Sequence, residues 1–138
     1  MNKTRIDNLR NTFPEQGIDG IFISQPENRR YLSGFDGSAG YLLITPRAAT
    51  LATDFRYWEQ AKIQALDYEL FPVKGTLKDW LPRLVDGSGV KQLGFEADDI
   101  SFSLYRKLSD ILKETPVRLI PLNGIVEGLR AIKEPEEI

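Results

Sequence analysis

The side chains that could do chemistry in this 138-residue chain are carboxylates, tyrosines and guanidinium groups, because it contains no His and no Cys. Imidazole is the commonest general base near neutral pH and the commonest transition-metal ligand. Ser-His-Asp arrangements and mixed His and carboxylate metal sites are therefore beyond what these residues can assemble alone. Disulfides, thiolate metal sites and Cys nucleophiles are excluded with them, and the lack of Cys fits a reducing compartment. Glu96, Asp98 and Asp99 cluster behind a short apolar run, and Asp54 follows another. Carboxylates so placed would suit a two-metal nuclease of ribonuclease H type if they converged on the ions. They suit equally the first turn of a following helix, whose free amides accept negative charge, and capping is the reading favoured by the sequence.

A second group lies around Gly34, Gly37 and Gly40, which recur every third residue among Tyr31, Phe35, Asp36 and Ser38. Glycine lets backbone approach a ligand closely, and Tyr and Phe supply rigid apolar contact area. Downstream, Arg56 could hold a substrate carboxylate with its planar fork, and Tyr57 stands beside it. Each has a plainer reading. The aromatics could pack into the chain's own core, Arg56 could brace the loop by pairing with Asp54 or Asp36, and of Tyr57 and Trp58 only one could face fully inward.

Periodicity predicts the elements that must carry these groups. Ile6, Leu9 and Phe13 predict one helix over residues 3–16, stopped by Gly17. Ile21 to Ile23 reads as a buried strand and Asn28 to Phe35 as a helical turn broken at Gly34. Tyr41 to Thr45 and Thr50 to Thr53 read as a hairpin turning at Pro46 and Arg47. Asp54 caps a helix from Phe55 to about Leu66, and Tyr68 to Val73 is a strand. Leu77, Trp80, Leu81, Leu84 and Val85 follow a helical repeat whose start Pro82 leaves open. A strand at Gln92 to Phe95, a helix from Ser101 to Lys113 and a strand at Val117 to Ile120 follow. Leu122, Ile125, Leu129 and Ile132 form a final amphipathic stripe. Pro135 with Glu136 and Glu137 has the composition of a first helical turn, so a further domain is expected after residue 138.

A net charge of −2 with 18 Lys plus Arg shows no clustered basic footprint, so nucleic acid is not an expected partner. No apolar stretch approaches the roughly 20 residues of a membrane helix, and MNKTRIDNLR lacks the apolar segment of a secretion signal. A cytoplasmic location is expected by default. Hydrophobic content of 41% with 28% charged residues is that of one ordinary globular domain.

Three stretches, NRRYLSGFDGSAGY (28–41), TDFRYWEQA (53–61) and LRAIKEPEEI (129–138), together resemble the amino-terminal domain of creatinases, prolidases and Xaa-Pro aminopeptidases. The first two are most similar to aminopeptidase P members, although Phe55 stands where many relatives have a small residue. The resemblance implies an α/β fold, a mixed β-sheet flanked by helices, ribonuclease H-like in outline and without catalytic residues. Residues 1–132 would be that domain, and 133–138 the start of the linker or first helix of a catalytic domain. It implies a parent hydrolase, a metallopeptidase of Xaa-Pro aminopeptidase or dipeptidase type. In such a parent two divalent ions (manganese, cobalt or zinc) held by the catalytic domain activate a bridging hydroxide, and this chain holds neither metal nor cofactor. The implied partners are its own catalytic domain, a second subunit and short proline-containing peptides. Tyr31, Phe35, Asp36, Ser38, Arg56 and Tyr57 would border the partner subunit's active site. A free-standing small-molecule-binding or interaction module is the alternative.

Overall fold

The computed structural model describes residues 2–131. Ile132, the segment 133–138 and the helix start expected at Pro135 lie outside them. Ile6, Leu9 and Phe13 are buried on one face as their spacing predicts, but the expected single helix is two, α1 (Asn2–Arg10) and α2 (Phe13–Gln16). Thr12 causes the break, its hydroxyl donating to the Leu9 carbonyl at 2.7 Å, and Pro14 has no N–H with which to continue the ladder. Gly17 ends α2 at φ 68°, and no neighbouring atom lies within 4 Å of the position a Cβ would take. Gly17→Ala therefore meets backbone strain alone. We expect a loss of about 1 kcal/mol, read as a lower urea midpoint at unchanged m.

The strand β1 (Gly20–Ile23) is buried throughout because helices cover both faces, Ile21 and Ile23 facing one layer and Phe22 the other. The helix α3 (Pro26–Ser33) begins earlier than expected. Pro26 fits its first turn, and the Gln25 side chain accepts the Asn28 N–H at 2.7 Å. The strands β2 (Tyr41–Ile44) and β3 (Ala49–Thr53) form the expected hairpin, with Leu42 opposite Leu51. A 3-10 turn (Phe55–Tyr57) capped by Asp54 then precedes α4 (Trp58–Gln64), so the expected helix over 55–66 is shorter and split.

Next come β4 (Glu69–Pro72), α5 (Leu77–Asp86), β5 (Gln92–Glu96), α6 (Phe102–Leu112), β6 (Arg118–Leu122) and α7 (Ile125–Arg130). Asp79 accepts the Thr76 N–H at 2.7 Å, which fixes the start of α5 and leaves Pro82 inside the helix. Leu122, expected in the last helical stripe, instead closes β6. The six strands run in the order β4-β3-β2-β1-β5-β6. Among the described strands β2 is antiparallel to its neighbours and the other pairings are parallel. The arrangement is the expected α/β one. Both outer strands contain a proline, Pro72 and Pro121, which withholds a donor from the open edge. Residues of α1 to α4 and α7 pack on one face, and those of α5 and α6 on the other. Because all strands but β2 point the same way, the loops after β1, β3, β4, β5 and β6 share one edge with the start of β2.

Candidate functional site

That edge carries both groups singled out by the sequence. In the loop 34–40, Phe35 is fully buried, and its ring occupies the space a Cβ would need at Gly37. It meets the Tyr57 ring edge-on, with centroids 5.9 Å apart. Above it the loop is tied to α4. Asp36 donates its N–H to Gln64 Oε1 at 3.1 Å and accepts from Gln60 Nε2 at 2.6 Å, while the Ser38 and Tyr57 hydroxyls are hydrogen-bonded to each other. Thr53 Oγ1 holds the Ala39 carbonyl at 2.8 Å, and the Trp58 indole N–H holds the Thr53 carbonyl at 2.9 Å.

Arg56 makes the internal pair with Asp54, its Nε and Nη2 donating to the carboxylate at 2.9 and 2.8 Å. The Arg56 hydrogen bonds hold the Asp54 carboxyl below its ordinary range. The guanidinium also lies 5.1 Å from the Tyr57 ring centre. Tyr57 and Trp58 are each half-buried, so neither takes the fully inward position. Of the six candidates, Asp36, Ser38, Arg56 and Tyr57 come together at the surface, with Phe35 beneath them. Tyr31 lies elsewhere. It sits on α3 under the Arg5 guanidinium, 4.2 Å from its ring centre, with its hydroxyl 3.4 Å from the Leu129 carbonyl on α7.

The acidic cluster does not cap the helix that follows it. Ser101 does so, accepting the Leu104 N–H at 3.0 Å. Glu96 turns across the sheet edge instead. It takes the N–H groups of Ser24 and Gln25 at 2.8 and 2.9 Å and the Asn28 side-chain amide at 2.5 Å, while Asp99 accepts from the Ser24 hydroxyl at 2.6 Å. The end of β5 therefore holds the start of α3. Asn28 also donates to Glu127 at 2.8 Å and accepts from Arg130 Nη1 at 2.9 Å, which brings α7 into the same network. Burial pushes the Glu96 carboxyl above its ordinary value, and the Gln25, Asn28 and Ser24 donors pull against it. A cavity of about 290 Å³ opens here between Glu96, Asp98, Asp99 and Glu127 over an apolar floor that includes Ile21 and Leu122.

Among the described residues no three His, Cys, Asp or Glu groups stand close enough to hold a metal ion. The physical reason is plain. The Glu96 oxygens are spent on amides, Asp54 is turned onto Arg56, and β2 and β1 separate their strands. The carboxylates do not converge as a two-metal nuclease requires. The sequence reading missed Asn28, Gln60, Gln64, Glu127 and Arg130. Amides carry no chemical signature, although Gln25-Pro26 does mark the opening of α3.

Fold and edge together define an α/β domain with a mixed six-stranded sheet flanked by helices and a polar side-chain cluster at one sheet edge. The chain belongs to the Creatinase/Prolidase N-terminal domain family, whose sequence pattern matches residues 5–132. It is 40% identical over 134 residues to the uncharacterized peptidase YqhT of Bacillus subtilis (strain 168), covering 97% of this chain and 37% of that protein. An Xaa-Pro dipeptidase from Bacillus anthracis superposes with TM-score 0.90 at 39% identity, covering 99% of this chain and 38% of that one. The N-terminal domain of the cytoplasmic peptidase PepQ from Mycobacterium tuberculosis H37Rv gives 0.83 at 37% identity, covering 92% of this chain and 98% of that one. The chain thus matches the amino-terminal part of larger peptidases. No helix among the described residues is long and apolar enough to cross a membrane.

Proposed function

We propose that this chain is the non-catalytic amino-terminal domain of a cytoplasmic Xaa-Pro metallopeptidase of aminopeptidase P or prolidase type. Residues 1–132 form the domain and 133–138 lead into a catalytic domain that holds two divalent ions. In a homodimer the domain shapes the access of short proline-containing peptides to the partner subunit's active site. The supporting observation is the single surface on which Asp36, Ser38, Arg56 and Tyr57 gather, with Phe55, Ile63 and Leu66 on the neighbouring turn and helix end exposed by 74, 72 and 80%. Large apolar side chains left in water beside a polar cluster fit a surface that a second subunit covers. The cytoplasmic location draws on the description of the Mycobacterium tuberculosis peptidase. Among the described residues no donor set fits the ions, so the bond-breaking step belongs to the proposed catalytic domain.

The test compares this chain with a longer protein in which the proposed catalytic domain follows Ile138. The longer protein is expected to hydrolyse Xaa-Pro peptides with added manganese or cobalt, and the 138-residue chain to show no turnover. Turnover by the chain alone, proportional to its concentration and surviving repurification, contradicts the reading. An inactive longer protein in which the chain binds small molecules on its own favours the free-standing module.

A further inference from the structure

Between α3 and β2 the backbone of residues 34–40 has no regular ladder to hold it. Arg29 lies beneath it on α3, only 3% exposed. Its Nη1 donates to the Gly40 carbonyl at 2.8 Å and reaches the Ser24 carbonyl at 3.4 Å, and its Nη2 donates to the Gly37 carbonyl at 2.8 Å. One planar fork thus fastens the middle and the end of the loop to the end of β1. The acceptors are neutral carbonyls, and the buried Nε has no hydrogen-bond partner among the described residues.

This is a costly way to fill space. A cation removed from water on partial charges is poorly compensated, and an apolar side chain of similar length would pack there without that cost. Arginine differs from other long side chains in its rigid, spread donors, which can fix several carbonyls at once. The carbonyls it fixes belong to the segment that carries Asp36 and Ser38.

We propose that Arg29 is a positioning residue: it holds the loop 34–40 so that Asp36 and Ser38 stand ready for peptide, and it thereby governs peptide affinity. This rests on the proposed function for its ligand but not for its geometry, and the experiment separates the two. Backbone order parameters are measured in the 138-residue chain, and KM and kcat in the longer protein, for the native protein, Arg29→Met and Arg29→Lys. Native values near about 0.85 at Gly37 and Gly40 are expected to fall below about 0.6 in both variants. KM should rise about tenfold while kcat stays within about threefold. Lysine keeps the charge but not the fork, so it should not rescue either readout.

Unchanged order in a folded variant, or a lysine variant that matches the native protein, overturns the proposal. So does a loosened loop with an unchanged KM, which leaves the peptidase reading intact. If Arg29→Met fails to fold, Arg29→Lys decides. If the longer protein lacks Xaa-Pro activity, the peptidase reading and the KM arm fall, and the order parameters still decide whether Arg29 holds the loop.

Discussion

Phe35→Ala is expected to remove about 3–5 kcal/mol of unfolding free energy, a large part of what a domain of this size possesses. The ring is fully buried, sits under the backbone at Gly37 and meets Tyr57 edge-on at 5.9 Å. Truncation would leave a cavity that this backbone cannot easily close, because Arg29 and the pairs to Gln60 and Gln64 hold the loop from other sides. Phe35→Leu keeps much of the volume and should cost under about 1.5 kcal/mol. Urea unfolding of both variants measures the difference. A near-neutral Phe35→Ala would mean that the ring acts as contact surface rather than as core.

The second large effect is expected at Glu96. Glu96→Ala strips the acceptor from the N–H groups of Ser24 and Gln25 and from the Asn28 amide, at a cost of about 2–4 kcal/mol. Glu96→Gln keeps one carbonyl oxygen and isolates the charge. Burial raises the carboxyl above its ordinary 4.5, so the folded state holds the proton more tightly than the unfolded chain. That contribution is fully present below the unfolded pKa and is lost as pH rises through the higher folded value. The native protein should therefore lose stability relative to Glu96→Gln on going from acid to neutral pH, measured by urea unfolding at several pH values. A relative gain would mean that the amide donors outweigh burial.

These two residues also show where the sequence was informative. Local signals were legible: the turn at Pro46 and Arg47 that joins β2 to β3, the Asp54 cap beside Arg56, and Gly17 and Gly34 as helix stops. Two errors came from local competition, since Thr12 and Pro14 divide the first helix and a 3-10 turn intervenes before α4. The others came from distance along the chain. Glu96 lies a few residues before a helix start, so proximity suggested a cap there, yet its partners Ser24, Gln25 and Asn28 belong to the other end of the sequence. Phe35 among glycines reads the same whether it lies inside or outside, and only tertiary packing decides. Asp36, Ser38, Arg56 and Tyr57 were legible as chemical types, but the Gln60 and Gln64 side chains that place Asp36 were not.

The strand order carries a consequence for synthesis. β1 meets β2 soon after both leave the ribosome, but opposite Gly20 on its other side stands Leu93, which emerges much later. Until then a nascent half-sheet of β4-β3-β2-β1 offers a bare, apolar edge at Ile21 to Ile23, the kind of edge that invites pairing with another chain. Arrival of β5 seals it, so a ribosomal pause in the segment 74–91 should prolong the interval in which a chaperone is needed.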